Sequence, residues 1–292
     1  MEQRQFGFTG LKVSVIGFGA GHIDENDTNE KSVEKLLNSA VDMGITLFDT
    51  ARGYGASEER IGKYLSKRRS EIVLSTKVGY GIPGFKDWTY EGIIAGVDEA
   101  LKLLRTNYID IVHLHSCPVS ILKDSGVIDA LEKVKETGKI KVAAYSGENE
   151  NLAFAIETGR FGSIQTSINI ADQRNIDRLL PMAKEKGLGV IAKRPAANSP
   201  WRFKEQPFGR YAEVYWLRLK KMNILQEDNL QETALRFAAY TWGVDTVIAG
   251  TSNLEHLREN IKMVEKGPLD QDYYNKIRDL FRNYDDNWIG QV

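Results

Sequence analysis

Short apolar, β-rich runs alternate with segments of helical apolar spacing from one end of the chain to the other. The runs LKVSVIGFG, ITLFDT, EIVLSTKV, IDIVHLHS, IKVAAYSG, SIQTSINI, LGVIAKRP and VDTVIAGTS predict eight strands. Between them, KSVEKLLNSAVDMG, EGIIAGVDEALKLL, VIDALEKVKETG and NLEHLRENIKMVEKG repeat apolar positions at helical intervals. Several of these segments end at glycine (Gly44, Gly138, Gly187, Gly243, Gly267), the residue that accepts a left-handed helix end. Near-continuous apolar strands separated by amphipathic helices mean a parallel sheet covered by helices. Eight such units over 292 residues fit an α/β fold, the closed (β/α)8 TIM barrel, with an open doubly wound sheet as the alternative.

Two features decorate this rhythm. RQFGFTGLKVS reads as an N-terminal β-hairpin turning at Thr9-Gly10 and capping one end of the barrel. Long loops follow strands 3 and 7, at residues 79–90 and 196–216. Both lie on the C-terminal side of strands, where barrel enzymes keep their sites, and both carry aromatics. Tyr80, Phe85 and Trp88 stand in the first, and Trp201, Phe203 and Phe208 in the second. Without a repeat, low-complexity tract or linker, the chain reads as one domain over 1–292.

Composition narrows the function classes. A formal net charge of -1 favours no nucleic-acid or other polyanion partner. The single cysteine, Cys117, supports no internal disulfide and fits a reducing compartment. No secretory pattern opens the sequence, and no apolar run has the length to cross a bilayer. The expectation is a cytoplasmic protein with no membrane partner, a monomer or small homo-oligomer.

Chemistry concentrates at the predicted strand ends. Asp49 closes the second strand, Tyr54 sits on the loop after it, Lys77 ends the third and His115 the fourth. Neighbouring strands lie about 5 Å apart, so these side chains can converge. Each alone has an ordinary reading: Asp49 as a partner of Arg52 on the turn, Lys77 as a strand-end lysine, His115 as a core histidine. Together, a buried Asp-Lys pair beside a phenol is costly to assemble without chemical purpose. His113 and His115 share a strand face, but the later strands supply no further histidine ligand. No metal site is therefore expected, and His113 reads as a supporting residue of the barrel interior. The glycine run GFGAG does not open a helix directly, so it is rejected as a dinucleotide fingerprint. Ser57 is the expected N-cap of the next helix, with Glu58 and Glu59 favourable in its first turn.

GLKVSVIGFG, LFDTARGYGASEERIGKYL, STKVG, YIDIVHLHSCP and GTSNLEHLREN, taken together and in this order, resemble the aldo-keto reductases. The resemblance implies a (β/α)8 barrel that reduces aldehydes or ketones with a nicotinamide cofactor, usually NADPH with NADH possible, and without a metal. Matched residue by residue, the family's catalytic tetrad falls on Asp49, Tyr54, Lys77 and His115. Tyr54 would then protonate the alkoxide left by hydride transfer. Lys77 would stabilise the tyrosinate, Asp49 would hold Lys77, and His115 would polarise the carbonyl.

The same resemblance implies cofactor contacts from Gly19, Ala20, Gly21 and Asp49, and nicotinamide-carboxamide contacts from Ser146 and Gln165. Gly250, Thr251 and Ser252 suit an anion at a helix N-terminus, with Glu259 and Asn260 toward adenine. The chain departs from the family pattern at three places. Gly147 replaces the usual asparagine, which weakens the carboxamide clamp or shifts it to Asn149. Lys193 replaces a nicotinamide-stacking tyrosine; Lys193 and Arg194 then reach for the pyrophosphate or 2′-phosphate, or lie in solvent. Asn253 and His256 stand where NADP-selective members place arginine or lysine. Two rival activities remain: a nicotinamide-nucleotide-binding regulatory subunit on the same fold, and a lyase using Lys77 as a Schiff-base amine. The C-terminal NYDDNWIGQV is expected to fold over the mouth, with Trp288 as its lid contact.

Overall fold

The computed structural model describes residues 1–24, 29–124 and 126–292. Strands β1 (Gln3–Gln5) and β2 (Lys12–Ser14) form the expected antiparallel hairpin. Its loop is closed by Thr9, whose hydroxyl donates to the Phe6 carbonyl (2.6 Å) and accepts from the Leu11 amide (3.2 Å). The run Leu11–Gly19, read from sequence as one strand, is divided at Val15. The Ser14 hydroxyl donates to the Ile16 carbonyl (2.7 Å), and the Ser14 amide to the Thr46 hydroxyl (2.8 Å). These local bonds end the hairpin strand before the barrel strand starts.

Eight parallel strands follow: β3 (Ile16–Gly19), β4 (Leu47–Asp49), β5 (Val73–Val78), β6 (Ile109–His115), β7 (Ile140–Ser146), β8 (Ser163–Ser167), β9 (Gly189–Lys193) and β10 (Thr246–Gly250). They close in the order β10-β3-β4-β5-β6-β7-β8-β9, and the β10–β3 pairing excludes the open sheet. Helices between the strands pack their apolar faces on the barrel's outside. In the helix Glu30–Asp42, for example, Val33, Leu36, Leu37, Ala40 and Val41 are buried, at helical spacing. The glycines expected to end helices all adopt positive φ, from +70° at Gly187 to +88° at Gly44.

Two apolar cores result. The larger lies between barrel and helices. The smaller fills the barrel's interior: Phe6 from the hairpin packs with Val13, Leu47, Ile111, Val142, Ala144 and Ile191. The hairpin therefore closes the N-terminal end, and polar residues are left to the C-terminal end of the strands. Among the described residues no helix is long and apolar enough to cross a membrane. The segment between GFGAG and the first long helix begins with a 3-10 turn, Ala20–His22, and residues 25–28 of it lie outside the described residues.

Candidate active site

Strand register brings the polar residues together. Gly19 pairs with Asp49, Asp49 with Ser75, Lys77 with His113, His115 with Ser146, and Ser146 with Gln165. Because side chains alternate along a strand, Ser75 and Lys77 share the inward face of β5, and His113 and His115 that of β6.

The centre is an ion pair with almost no exposure. The Lys77 ammonium donates to Asp49 Oδ2 (2.6 Å) and to the Thr50 carbonyl (2.8 Å), and the two side chains are 1% and 2% exposed. Asp49 Oδ1 accepts from the Ser75 hydroxyl (2.8 Å) and the Gln165 amide (3.0 Å). Burial alone would push the Lys77 ammonium toward neutrality, but the Asp49 carboxylate, with Tyr54 beside it, overcomes this and holds its pKa above the usual value. Asp49 is thus engaged by Lys77, Ser75 and Gln165 and not by Arg52. Arg52 donates its backbone amide to the Lys77 carbonyl (3.1 Å) and reaches the Gly81 carbonyl (3.5 Å) with its guanidinium.

Tyr54 covers this pair: the Lys77 ammonium lies 4.9 Å from its ring centroid, and the His115 ring meets it edge-on at 6.0 Å. The four tetrad residues expected from sequence therefore converge. Burial, with Lys77, Lys193 and Arg194 adding repulsion, drops His115 to a pKa of about 2, so it is neutral. His113 lies fully buried, its Nε2 3.2 Å from the Ser75 hydroxyl, and burial lowers it to about 3. It supports Ser75, which in turn holds Asp49.

At the rim, Gly250 pairs with Gly19, and the strand leads into the helix Leu254–Glu265, capped by the Asn253 side chain on the Glu255 amide. Thr251 and Asn260 are buried, while Ser252, His256 and Glu259 are exposed along that segment. Ala20 is buried in the 3-10 turn, and Gly21 lies against the Tyr54 ring. The Ser146 hydroxyl donates to Gln165 Oε1 (2.9 Å), joining both to Asp49 through the Gln165 amide.

The departures from the family pattern have physical causes. A Cβ at position 147 would stand 2.6 Å from the Tyr145 ring and hydroxyl, so only glycine fits beneath that side chain. Tyr145 is itself fixed by a bond from its hydroxyl to the Cys117 carbonyl (2.8 Å). The Asn149 side chain is bonded to the tail: its amide group donates to the Gly290 carbonyl (3.0 Å) and accepts from the Gly290 amide (2.7 Å). Lys193 and Arg194 both face the fully buried Glu148 carboxylate, at 3.3 and 3.7 Å. Arg194 also donates to the Ser167 hydroxyl (2.8 Å), the Gln291 carbonyl and the Tyr211 hydroxyl. Burial lowers the Lys193 pKa against the pull of Glu148. Behind them, burial and the Glu148 charge raise Asp172 to about 7.

Other expectations are revised. Ser57 is the first helical residue, not the N-cap; its hydroxyl bonds Thr50 Oγ1 (2.8 Å) and the Ala20 carbonyl (2.9 Å). Trp288 packs on Phe281 and Arg218 rather than on the mouth; the tail reaches the rim through residues 289–291. Sequence reasoning passed over Ser75, Glu148 and the role of Tyr80. Ser75 was within reach, two residues before Lys77 on the same face. Glu148 and Tyr80 lie on loops, where no periodicity marks a direction.

The family model described as "Aldo/keto reductase family" matches residues 15–282. Among curated proteins, L-galactose dehydrogenase of Arabidopsis thaliana is 28% identical, covering 95% of this chain and 93% of its own. A probable voltage-gated potassium channel subunit beta of the same plant is 27% identical, covering 92% of this chain and 93% of its own. Among solved structures, the holo form of an aldo-keto reductase from Bacillus halodurans superposes with a TM-score of 0.82. It has 28% identity and 96% coverage of each chain. With a closed (β/α)8 barrel, a converged polar site at its C-terminal mouth and a family match across nearly its whole length, the chain belongs to the aldo/keto reductase family of NAD(P)H-dependent oxidoreductases.

Proposed function

We propose that the protein reduces a small aldehyde or ketone to the alcohol with a nicotinamide cofactor, NADPH or NADH, and that Tyr54 donates the proton. The observation that carries this is the sealed Lys77–Asp49 pair, 2.6 Å apart, lying 4.9 Å from the centre of the Tyr54 ring.

The rim fits a nicotinamide dinucleotide. Gly19 and Gly250 pair at the rim, and a Cβ on Gly250 would stand 2.7 Å from the His22 ring and 3.1 Å from the Gly19 carbonyl oxygen. The N-terminus of the helix Leu254–Glu265 opens beside them, with Ser252 exposed, and suits phosphate. When bound, the nicotinamide supplies hydride to the carbonyl carbon. His115, neutral at working pH, donates a hydrogen bond to the carbonyl oxygen and orients it. Tyr54 passes its phenolic proton to that oxygen as it becomes an alkoxide. The Lys77 ammonium stabilises the tyrosinate, and Asp49 keeps the ammonium charged inside a dry site. A Schiff-base role for Lys77 needs a neutral amine, which the raised pKa opposes. Ser146 and Gln165 hold the carboxamide in this reading. With Lys193 and Arg194 already paired to Glu148, the charge available to a 2′-phosphate is modest.

The test is a panel of aldehydes and ketones with NADPH and NADH in parallel, following loss of cofactor absorbance, for the wild type and Tyr54→Phe. Tyr54→Phe should lower kcat by roughly 10²–10⁴-fold, the range of a general acid, with NADPH affinity unchanged. Retained turnover would assign the proton to another group. The likeness to a probable channel subunit beta favours a second reading, nucleotide binding in a regulatory subunit. Tight NADPH binding by the wild type with no turnover across the panel would establish it instead.

A further inference from the structure

The long loop after β5 places a second phenol in the site. The Tyr80 hydroxyl lies 2.7 Å from His115 Nδ1, and the two rings stack with centroids 5.5 Å apart and 22° between planes. We propose that Tyr80 is a positioning residue that fixes the tautomer and plane of His115, so that Nε2 carries the proton offered to the substrate oxygen.

The direction of the hydrogen bond follows from the groups present. Tyr80 keeps its proton, because burial and the neighbouring Tyr54 raise its pKa while Lys77 only partly opposes them. His115 is neutral, so one ring nitrogen accepts and the other donates. A protonated phenol at Nδ1 donates, Nδ1 accepts, and the remaining proton resides on Nε2. A hydrogen bond at one imidazole nitrogen decides the state of the other.

The loop is built to hold that hydroxyl in place. Trp88 packs edge-on against Tyr80 at 5.9 Å and donates its backbone amide to the Gly79 carbonyl (2.8 Å). The Gly81 amide donates to Asp87 Oδ1 (3.0 Å). On the facing loop, Gly53 leaves the room: a Cβ there would stand 3.1 Å from the Tyr80 hydroxyl. Arg52, beside Gly53, spans to the Gly81 carbonyl at 3.5 Å. The two loops that carry Tyr54 and Tyr80 are thereby joined next to the histidine.

This proposal rests on the reductase reading for its kinetic consequence but not for its structural one. The test uses the NADPH-bound protein and Tyr80→Phe, which deletes one oxygen and keeps the stacked ring. In a ¹⁵N spectrum of histidine-labelled protein, with His115 assigned by loss of its signals in His115→Ala, the wild type should show Nε2–H with unprotonated Nδ1. Tyr80→Phe should show averaging of the two tautomers. Its kcat should fall about 10- to 100-fold, the scale of an orienting outer hydrogen bond, with NADPH affinity unchanged. In a His115→Ala background the same substitution should change kcat no further, because Tyr80 acts through the histidine. An Nδ1–H signal in the wild type, an unchanged spectrum in Tyr80→Phe, or an additive loss of rate in the His115→Ala background would each overturn the proposal. The spectrum reads the tautomer without turnover, so failure of this inference is separable from failure of the Tyr54 mechanism.

Discussion

Replacing Asp49 by Asn removes the carboxylate bonded to the Lys77 ammonium while changing almost no volume. Asn Oδ1 still accepts from Ser75 and Gln165, which now bond Asp49 at 2.8 and 3.0 Å. The amide nitrogen, however, meets the lysine as donor against donor where a 2.6 Å ion pair stood. Uncoupling a buried pair in this way costs about 3–5 kcal/mol if the lysine stays charged. The lysine can instead lose its proton, and this gives the variant its signature. In the wild type the folded pKa of Lys77 is raised, so its contribution is fully present below the unfolded value of about 10.4. It is lost only as pH climbs through the still higher folded value. Across pH 6–9 this site therefore adds no slope.

In Asp49→Asn, burial acts unopposed by the carboxylate and the folded pKa falls below the unfolded one. The unfolded chain then binds the extra proton, and stability rises with pH by about 1.4 kcal/mol per unit between the two values. Urea unfolding of both proteins at four pH values from 6 to 9 measures it. The variant should be least stable at pH 6 and recover toward pH 9, relative to the wild type. A variant within about 1 kcal/mol of the wild type at every pH would refute the claim that this pair is sealed from water.

A substitution at Gly147 tests the close approach of Tyr145. Gly147→Asn puts a Cβ 2.6 Å from a ring that cannot retreat, and should cost about 1–3 kcal/mol, or roughly 2–4 °C of Tm for each. An unchanged melting temperature would mean that Tyr145 yields easily. With His115 at a pKa of about 2, the kcat profile between pH 5 and 8 should carry no limb from this residue. His115→Asn should then lower the rate without changing the profile's shape; a limb that vanishes in the variant would show that His115 titrates there after all.

The sequence by itself determined the architecture and the strand-end positions of Asp49, Lys77 and His115. Both are written in regular periods: eight apolar runs alternating with helical segments, glycines at the helix ends, and inward positions two residues apart on each strand. A residue such as Lys77 at the end of a buried strand has few places to go, so a parallel register sets it beside His113 and its ammonium reaches Asp49. Where local chemistry competes with periodicity, the pattern misled. The divide at Val15 is set by Ser14 and Thr46, 32 positions apart, and the Ser57 hydroxyl turns to Thr50 and Ala20 instead of capping its helix.

Tertiary structure alone decided what the loops do. Gly147 is required by a tyrosine two residues away that folds back over it. Lys193 and Arg194 are drawn to Glu148 from the end of β9, across β8 from the strand that Glu148 follows, and Asn149 is bonded to Gly290, 141 positions along the chain. Tyr80 meets His115 because the loop after β5 turns its ring onto the end of the neighbouring strand β6. Loop directions follow from contacts distant in sequence rather than from a repeat, so no reading of the chain in order reveals them.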